Sequence, residues 1–164
     1  MAPKTAALDR AALAGAAQQL GVTQQMLDIA VRYATERHQF GKPIGSFQAV
    51  KHMLANVAVK LEFARPVVYR AAFAVAHNAP ARAMATSQAK VMASEAAVFA
   101  AKTTHQVHGA MGYCWECDLH IWMKRAWALD LAWGTSPWHR QRLADAVIDG
   151  AAAWESFGYD SPNH

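Results

Sequence analysis

Apolar residues recur at helical spacing along most of the chain. Leu13, Leu20, Leu27, Ala30 and Val31 mark one face of a first helix. The pattern predicts a helix from near Thr5 to about Gln39, with Gly21 tolerated inside it and Gly41 and Pro43 ending it in the order helix termini favour. Ser46 is a good N-cap for a second helix, whose apolar stripe is Val50, Leu54, Val57, Leu61 and Val68. Pro66 falls inside that helix. It lacks an amide hydrogen and crowds the preceding turn, so a kink is expected there.

Asn78-Ala79-Pro80 forms the next break, with Pro80 suited to the first turn of a third helix. That helix carries Met84, Val91, Met92, Val98, Phe99 and Val107 and stops around Gly109 to Gly112. A fourth begins near Asp118 and bears Leu119, Ile121, Trp122, Leu129 and Leu131. Gly134-Thr135-Ser136-Pro137 breaks it, with Ser136 as cap and Pro137 opening a fifth helix that holds Leu143, Ala144, Val147 and Ile148. The tail beyond Ser156 is expected to be loose. Long helices with short connections pack as antiparallel neighbours. The expected fold is therefore all-α: one helical domain over 1–164, an up-down bundle of four long helices plus a short C-terminal helix.

Composition agrees. Hydrophobic residues make up 54% and charged residues 17% of 164 residues, which argues against disorder and allows a real core. Much of the apolar content is alanine, which favours helices. No apolar run reaches the ~18 residues of a membrane span. Met1-Ala2-Pro3-Lys4-Thr5 lacks a hydrophobic signal core, so a cytoplasmic location is expected. Trp133, Trp138 and Trp154 offer a membrane-surface face only if exposed, and core packing is the reading preferred for them.

The net charge of +4 is dispersed, with His139, Arg140 and Arg142 the densest late cluster. No basic stripe with aromatic platforms is present, so nucleic-acid binding is not expected. A mild positive balance suits a phosphate-bearing ligand such as a dinucleotide or coenzyme A. Cys114 and Cys117 form a Cys-x-x-Cys pair below His105 and His108. Zinc and redox readings both exist for such residues. The His-x-x-His lies at a helix end in reversed order for a finger, and no strand precedes the pair as in thioredoxin-like motifs. Two small thiols at a helix entry, with no metal site, is the preferred reading. His52, His77 and His105 are scattered along the chain.

Two polar turns carry the candidate chemistry. Glu36-Arg37-His38-Gln39-Phe40-Gly41-Lys42-Pro43-Ile44-Gly45-Ser46-Phe47-Gln48 closes the first helix, and Gln106-Val107-His108-Gly109-Ala110-Met111-Gly112-Tyr113 closes the third. A cation in a last helical turn is favoured by the dipole in any protein, and a glycine-rich helix end is commonly only a C-cap. The functional reading gives the planar guanidinium of Arg37 a pyrophosphate to bind, and lets a ligand approach the glycine backbone.

Taken together, the strings Arg-x-Gln-Phe-Gly, Pro-Ile, Phe-Gln and Gln-x-x-Gly-x-x-Gly-aromatic resemble the C-terminal domain of acyl-CoA dehydrogenases. The resemblance runs from about Leu8 to about Ile148, the C-terminal third of a complete member. It implies FAD as cofactor, acyl-CoA as family substrate, and oxidation to a 2-enoyl-CoA. It also implies a homo-oligomer, or a hetero-oligomer with another acyl-CoA dehydrogenase-like subunit, in which these turns reach a neighbouring subunit's FAD. The cofactor-binding candidates it marks are Arg37, Gln39, Phe40, Phe47, Gln48, Gln106, Gly109, Ala110 and Thr135; Ala110 stands where the family has a second glycine. Trp115-Glu116-Cys117-Asp118-Leu119-His120, Lys124-Arg125-Ala126 and His139-Arg140 resemble a bacterial branch with heteromeric members acting on bulky acyl-CoAs. The plain reading of those charges is a solvated helix face.

The family's reaction needs a carboxylate base shielded from water. Many members place a glutamate just before a Gly-Thr pair, where this chain has Trp133; others place it early in the first helix, where Arg37 counts back to Ala11. Asp9 is the nearest carboxylate, and a first-turn acid is favoured by the helix dipole alone. No catalytic residue is assigned. Thr135 belongs equally to a Thr-Ser-Pro helix start, and Pro137 stands where the family often has glutamine. The alternative function is a stand-alone, non-catalytic helical interaction or assembly module without flavin. Either way a bundle with unpartnered apolar faces is expected to self-associate or hold a partner.

Overall fold

The computed structural model describes residues 3–148; the loose tail expected beyond Ser156, and Trp154, lie outside the described residues. Its fold is the expected all-α up-down bundle: α1 (Pro3–Glu36), α2 (Gln48–Ala76), α3 (Arg82–His108), α4 (Leu119–Leu131) and the shorter C-terminal α5 (Ser136–Ile148). Two elements are unexpected. Strands β1 (His38–Gln39) and β2 (Lys42–Pro43) pair antiparallel between α1 and α2, so α1 ends at Glu36, short of Gln39. 3-10 turns follow at Ile44–Ser46 and Gly109–Tyr113.

Helix α3 is the centre of the bundle. It packs on α1, α2, α4 and α5, and α2 and α4 flank the α1–α3 pair from opposite sides. A helix surrounded in this way must present small residues for its neighbours to approach. Its buried positions include Ala85, Ala89, Ala93, Ala96, Ala97, Ala100 and Ala101, with Thr86, Ser87, Ser94, Thr103 and Thr104. The large residues expected to carry its core are less enclosed: Val91 and Val107 are buried, while Met84, Met92, Val98 and Phe99 are half-buried. The α2 stripe is as expected, with Leu54, Val57, Leu61 and Val68 buried, and α2 runs unbroken through Pro66.

Other expectations are corrected. Val31, Ile121, Leu131, Val147 and Ile148 are exposed, as are Trp133 and Trp138, because each points away from the α1–α3 pair or stands at a helix end. Ser46 caps no helix: its hydroxyl donates to Pro43 O at 2.7 Å, and Phe47 holds the N-cap position of α2. Pro80 precedes α3, which starts at Arg82. The turn before it ends α2 in a Schellman motif, with Asn78 at φ 52° and Ala79 N–H donating to Ala74 O and Asn78 N–H to Val75 O. Ser136 is the first helical residue of α5; the cap is Thr135, whose Oγ1 accepts the Trp138 N–H at 3.4 Å. Among the described residues no helix is long and apolar enough to cross a membrane.

Candidate functional site

The two polar turns meet at one end of the bundle. Tyr33, one turn before the end of α1, stacks on His108 at 4.4 Å and donates its hydroxyl to His108 O at 3.4 Å, which ties the α1 and α3 termini together. His108 is buried and donates from Nδ1 to Thr104 O at 2.7 Å. Burial pushes its pKa below 6.5, the Thr104 carbonyl raises it, and His105 lowers it further.

At the first turn, Arg37 N–H still bonds Tyr33 O at 2.8 Å, and Arg37 O accepts from Ile44 N–H. Its guanidinium is exposed and has no hydrogen bond or ion pair among the described residues. Phe40 and Gly41, at φ 54° and 78°, form the two-residue tip between Gln39 and Lys42, as a primed hairpin turn requires. Glycine adopts that backbone freely; phenylalanine does so at a cost. Phe40 is nonetheless 90% exposed, its ring edge against Phe47 at 6.2 Å, with Lys42 Nζ 4.4 Å from the Phe47 ring centre. Gln39 and Gln48 are exposed. Gly45 fits where no side chain would, since a Cβ there would lie 2.9 Å from Ala34 O.

At the second turn Gln106, Gly109 and Ala110 are exposed. Gly109 has φ 56°, and a Cβ there would meet nothing within 4 Å, so its bare backbone faces open space. Gly112 is held against His105: an added Cβ would sit 2.8 Å from His105 Nδ1.

Thr135 is not with this group. It lies at the opposite end, where His139 on α5 meets Ser87 on α3. The helical rise from Ser87 to His108 puts about 30 Å between the two ends. Here the structure shows a polar network that the sequence pattern did not mark. Arg142 donates to Asp9 Oδ1 at 2.7 Å and to Ser87 Oγ at 3.3 Å. The Ser87 hydroxyl donates to His139 Nδ1 at 3.0 Å, and His139 Nε2 donates to Trp133 O at 3.0 Å. Asp9 is 1% exposed and His139 fully buried. Trp133 and Gly134 lie at φ 60° and 99°, fixed by that last bond. Nearby, the fully buried Lys90 spends its three protons on Ser94 Oγ, Leu129 O and Asp130 O, closing the C-terminus of α4. Burial lowers the Lys90 pKa, and Asp130 partly restores it.

Burial likewise pushes His139 below 6.5; the bond to Trp133 O and the Asp9 charge oppose this, and Lys90 and Arg142 reinforce it. With folded-state pKa values of His108 and His139 lowered, the unfolded chain binds more protons at mildly acidic pH. Stability is therefore full above pH 6.5 and falls as pH drops below it, until the folded-state values are passed. Urea titrations at pH 7.5 and 5.5 check this: the midpoint falls at the lower pH, and less so in His139→Gln.

Residues 3–148 match the family model described as acyl-CoA dehydrogenase, C-terminal domain. Acyl-CoA dehydrogenase IpdE2 of Mycobacterium tuberculosis is 42% identical over 126 residues, 77% of this chain and 38% of that protein. Butyryl-CoA dehydrogenase from Megasphaera elsdenii superposes with a TM-score of 0.82 at 31% identity, over 86% of this chain and 37% of that one. The ChsE4–ChsE5 complex from Mycobacterium tuberculosis superposes with a TM-score of 0.79 at 30% identity, over 84% of this chain and 37% of that one. The chain thus spans less than two fifths of each of these three proteins.

Proposed function

Since the chain belongs to the acyl-CoA dehydrogenase family, as the C-terminal domain its residues 3–148 match, we propose that it supplies one half of an FAD site completed by a neighbouring acyl-CoA dehydrogenase-like subunit. The observation that carries this reading is the end of the bundle holding Arg37, Gln39, Phe40, Gln48, Gln106 and Gly109. It combines an unpaired guanidinium, exposed amides, a strained and 90% exposed aromatic, and bare glycine backbone. Those groups fit a dinucleotide: the guanidinium fork for the pyrophosphate, the amides for hydroxyl and carbonyl edges, the Phe40 and Phe47 rings for a planar ring. Bound FAD would supply hydride acceptance for oxidising an acyl-CoA to a 2-enoyl-CoA.

The proton-abstracting role belongs to the partner in this reading. Trp133 and Ala11, at the two places where the family puts its base, carry no titratable group. Trp133 packs on α1 one turn beyond Ala11, where a Cβ on Gly15 would be 3.7 Å from Trp133 Cδ1. The carboxylate nearest in sequence, Asp9, is committed to Arg142. Thr135, about 30 Å from Arg37 along α3, would face a different cofactor from the one Arg37 reaches. Heteromeric relatives such as the ChsE4–ChsE5 complex support a division of labour between subunits.

Equilibrium dialysis of the purified chain against FAD tests the reading. Visible absorbance should show retained flavin, and Arg37→Ala should weaken binding by about 1.5–3 kcal/mol, roughly ten- to a hundredfold. Retention that ignores Arg37→Ala would leave the flavin-free assembly module as the better account; no retention by either protein moves the same comparison to the complex with the neighbouring subunit, where loss of the Arg37 dependence would have the same meaning.

A further inference from the structure

We infer that Cys114 and Cys117 are a redox-sensitive pair that closes as an internal disulfide, a modification site in the connection from the second polar turn to α4. They are the chain's two cysteines, so an internal bond has one possible pairing. Both thiols are free and half-buried. Among the described residues no third His, Cys, Asp or Glu joins them in a group able to hold a metal ion. No strand precedes the pair, so its context is not that of a thioredoxin. The inference rests on the turn the two cysteines occupy and not on flavin binding.

That turn brings them into range of each other. Cys117 N–H donates to Cys114 O at 3.2 Å, which closes a β-turn around Trp115 and Glu116. Such a turn holds its end Cα atoms within about 7 Å, and disulfides span Cα separations of about 4.4–6.8 Å. The turn is held from both sides: Cys114 N–H donates to Met111 O at 3.1 Å, and His120 N–H to Cys117 O at 3.5 Å. The Trp115 indole stacks on His120 in α4, ring centres 4.3 Å apart, and so pins the turn's second residue to that helix. Cys117 packs against the main core cluster, which fixes its end of the turn. The Cys114 thiol has a long contact to Ala110 O at 3.7 Å. A thiol is a weak donor, so giving up that contact to turn toward Cys117 costs little.

The oxidant is a small disulfide of the glutathione disulfide class. One cysteine thiolate attacks it, a protein–glutathione disulfide forms, and one glutathione thiolate leaves. The other cysteine then attacks the protein sulfur of that mixed disulfide and expels the second glutathione. The pair gives up two protons and two electrons, and glutathione disulfide becomes two molecules of glutathione. The new bond braces the link between α3 and α4.

The test equilibrates the full chain in graded mixtures of glutathione and glutathione disulfide, then quenches with acid, alkylates free thiols and measures the intact mass. The folded chain is expected to lose two hydrogens without gaining glutathione, and to run as a single chain on a non-reducing gel. The same titration in guanidinium chloride separates a turn that favours the bond from two cysteines merely close in sequence. The folded turn already fixes the backbone between them, so the folded chain should form the disulfide about tenfold more readily, or better. Cys114→Ser and Cys117→Ser should each stop at the mixed disulfide and keep the wild-type circular dichroism spectrum. A folded chain that stays reduced throughout, gathers glutathione on both cysteines, or links to a second chain would overturn the inference. So would equal oxidation of the folded and unfolded chains.

Discussion

Replacing Arg142 with methionine lowers the unfolding free energy by about 3–5 kcal/mol, the usual cost of removing one partner of a buried ion pair. The Asp9 side chain is 2% exposed and that of Arg142 21%, so the pair is shielded from the solvent that makes most surface pairs worth little. Without the guanidinium, Asp9 keeps a buried charge. One of its oxygens, Oδ2, already lacks a hydrogen-bond partner among the described residues. Ser87 also loses a donor, and the ring of Trp138 loses the guanidinium lying 5.7 Å from its centre. The companion change separates charge burial from packing. Asp9→Leu with Arg142→Met should recover much of the loss, because buried pairs replaced whole by apolar groups are often neutral or better. A double-mutant cycle in urea reads the coupling directly; a cycle that closes additively would show that the pair does not act as a unit.

How much of this was legible beforehand depends on how local each signal is. Helix α2 was read correctly because Leu54, Val57, Leu61 and Val68 are large, and their spacing alone marks the buried face. Helix α3 was found but its core was misjudged. In a helix packed on four others, alanine is the core residue, and a count of large side chains looks past it. Ser46 and Ser136 both looked like caps, yet a hydroxyl in the right neighbourhood does not decide which residue turns out of the helix. In the structure Phe47 and Thr135 hold those positions. The hairpin was missed since two paired residues per strand leave no period to detect. Its sequence signal was the tip: Gly41, preceded by a residue forced to positive φ, between Gln39 and Lys42.

The candidate residues divide the same way. The turn at Arg37 and the turn at Gln106 are short strings, and the fold brings them to one end because α1 and α3 run in the same direction, tied by Tyr33 on His108. Thr135 was grouped with them by resemblance alone, and the fold puts it at the other end. The Asp9–Arg142–Ser87–His139 network spans separations of 133, 55 and 52 residues, and no local pattern announces it. It answers a question the sequence left open. Asp9 was expected as a first-turn acid, but α1 starts at Pro3 and puts it beyond the first turn; its partner is an arginine on α5, which makes it a structural charge.

The same network makes Gly134 intolerant of a single methyl group. Gly134→Ala is expected to cost about 1–3 kcal/mol for holding a side chain at φ 99°, and about 1–3 kcal/mol more for overpacking. The new Cβ would lie 2.7 Å from Trp138 Cε3 and 2.8 Å from His139 Nε2. Trp138 has some room to move, being 44% exposed. His139 has none: it is fully buried, held by Ser87 on one nitrogen and by Trp133 O on the other. Displacing it would break the bond that fixes the left-handed Trp133 backbone and leave that strain uncompensated. Gly21→Ala is the matched control. That glycine is inside α1 with nothing within 4 Å of a built Cβ, so alanine there should raise stability by about 0.5–1 kcal/mol. Chemical denaturation of the two variants should therefore move in opposite directions from wild type. If Gly134→Ala matched wild type, the loop would be free to rearrange, and the rigid placement of Trp133 and Thr135 at this end of the bundle would have to be given up.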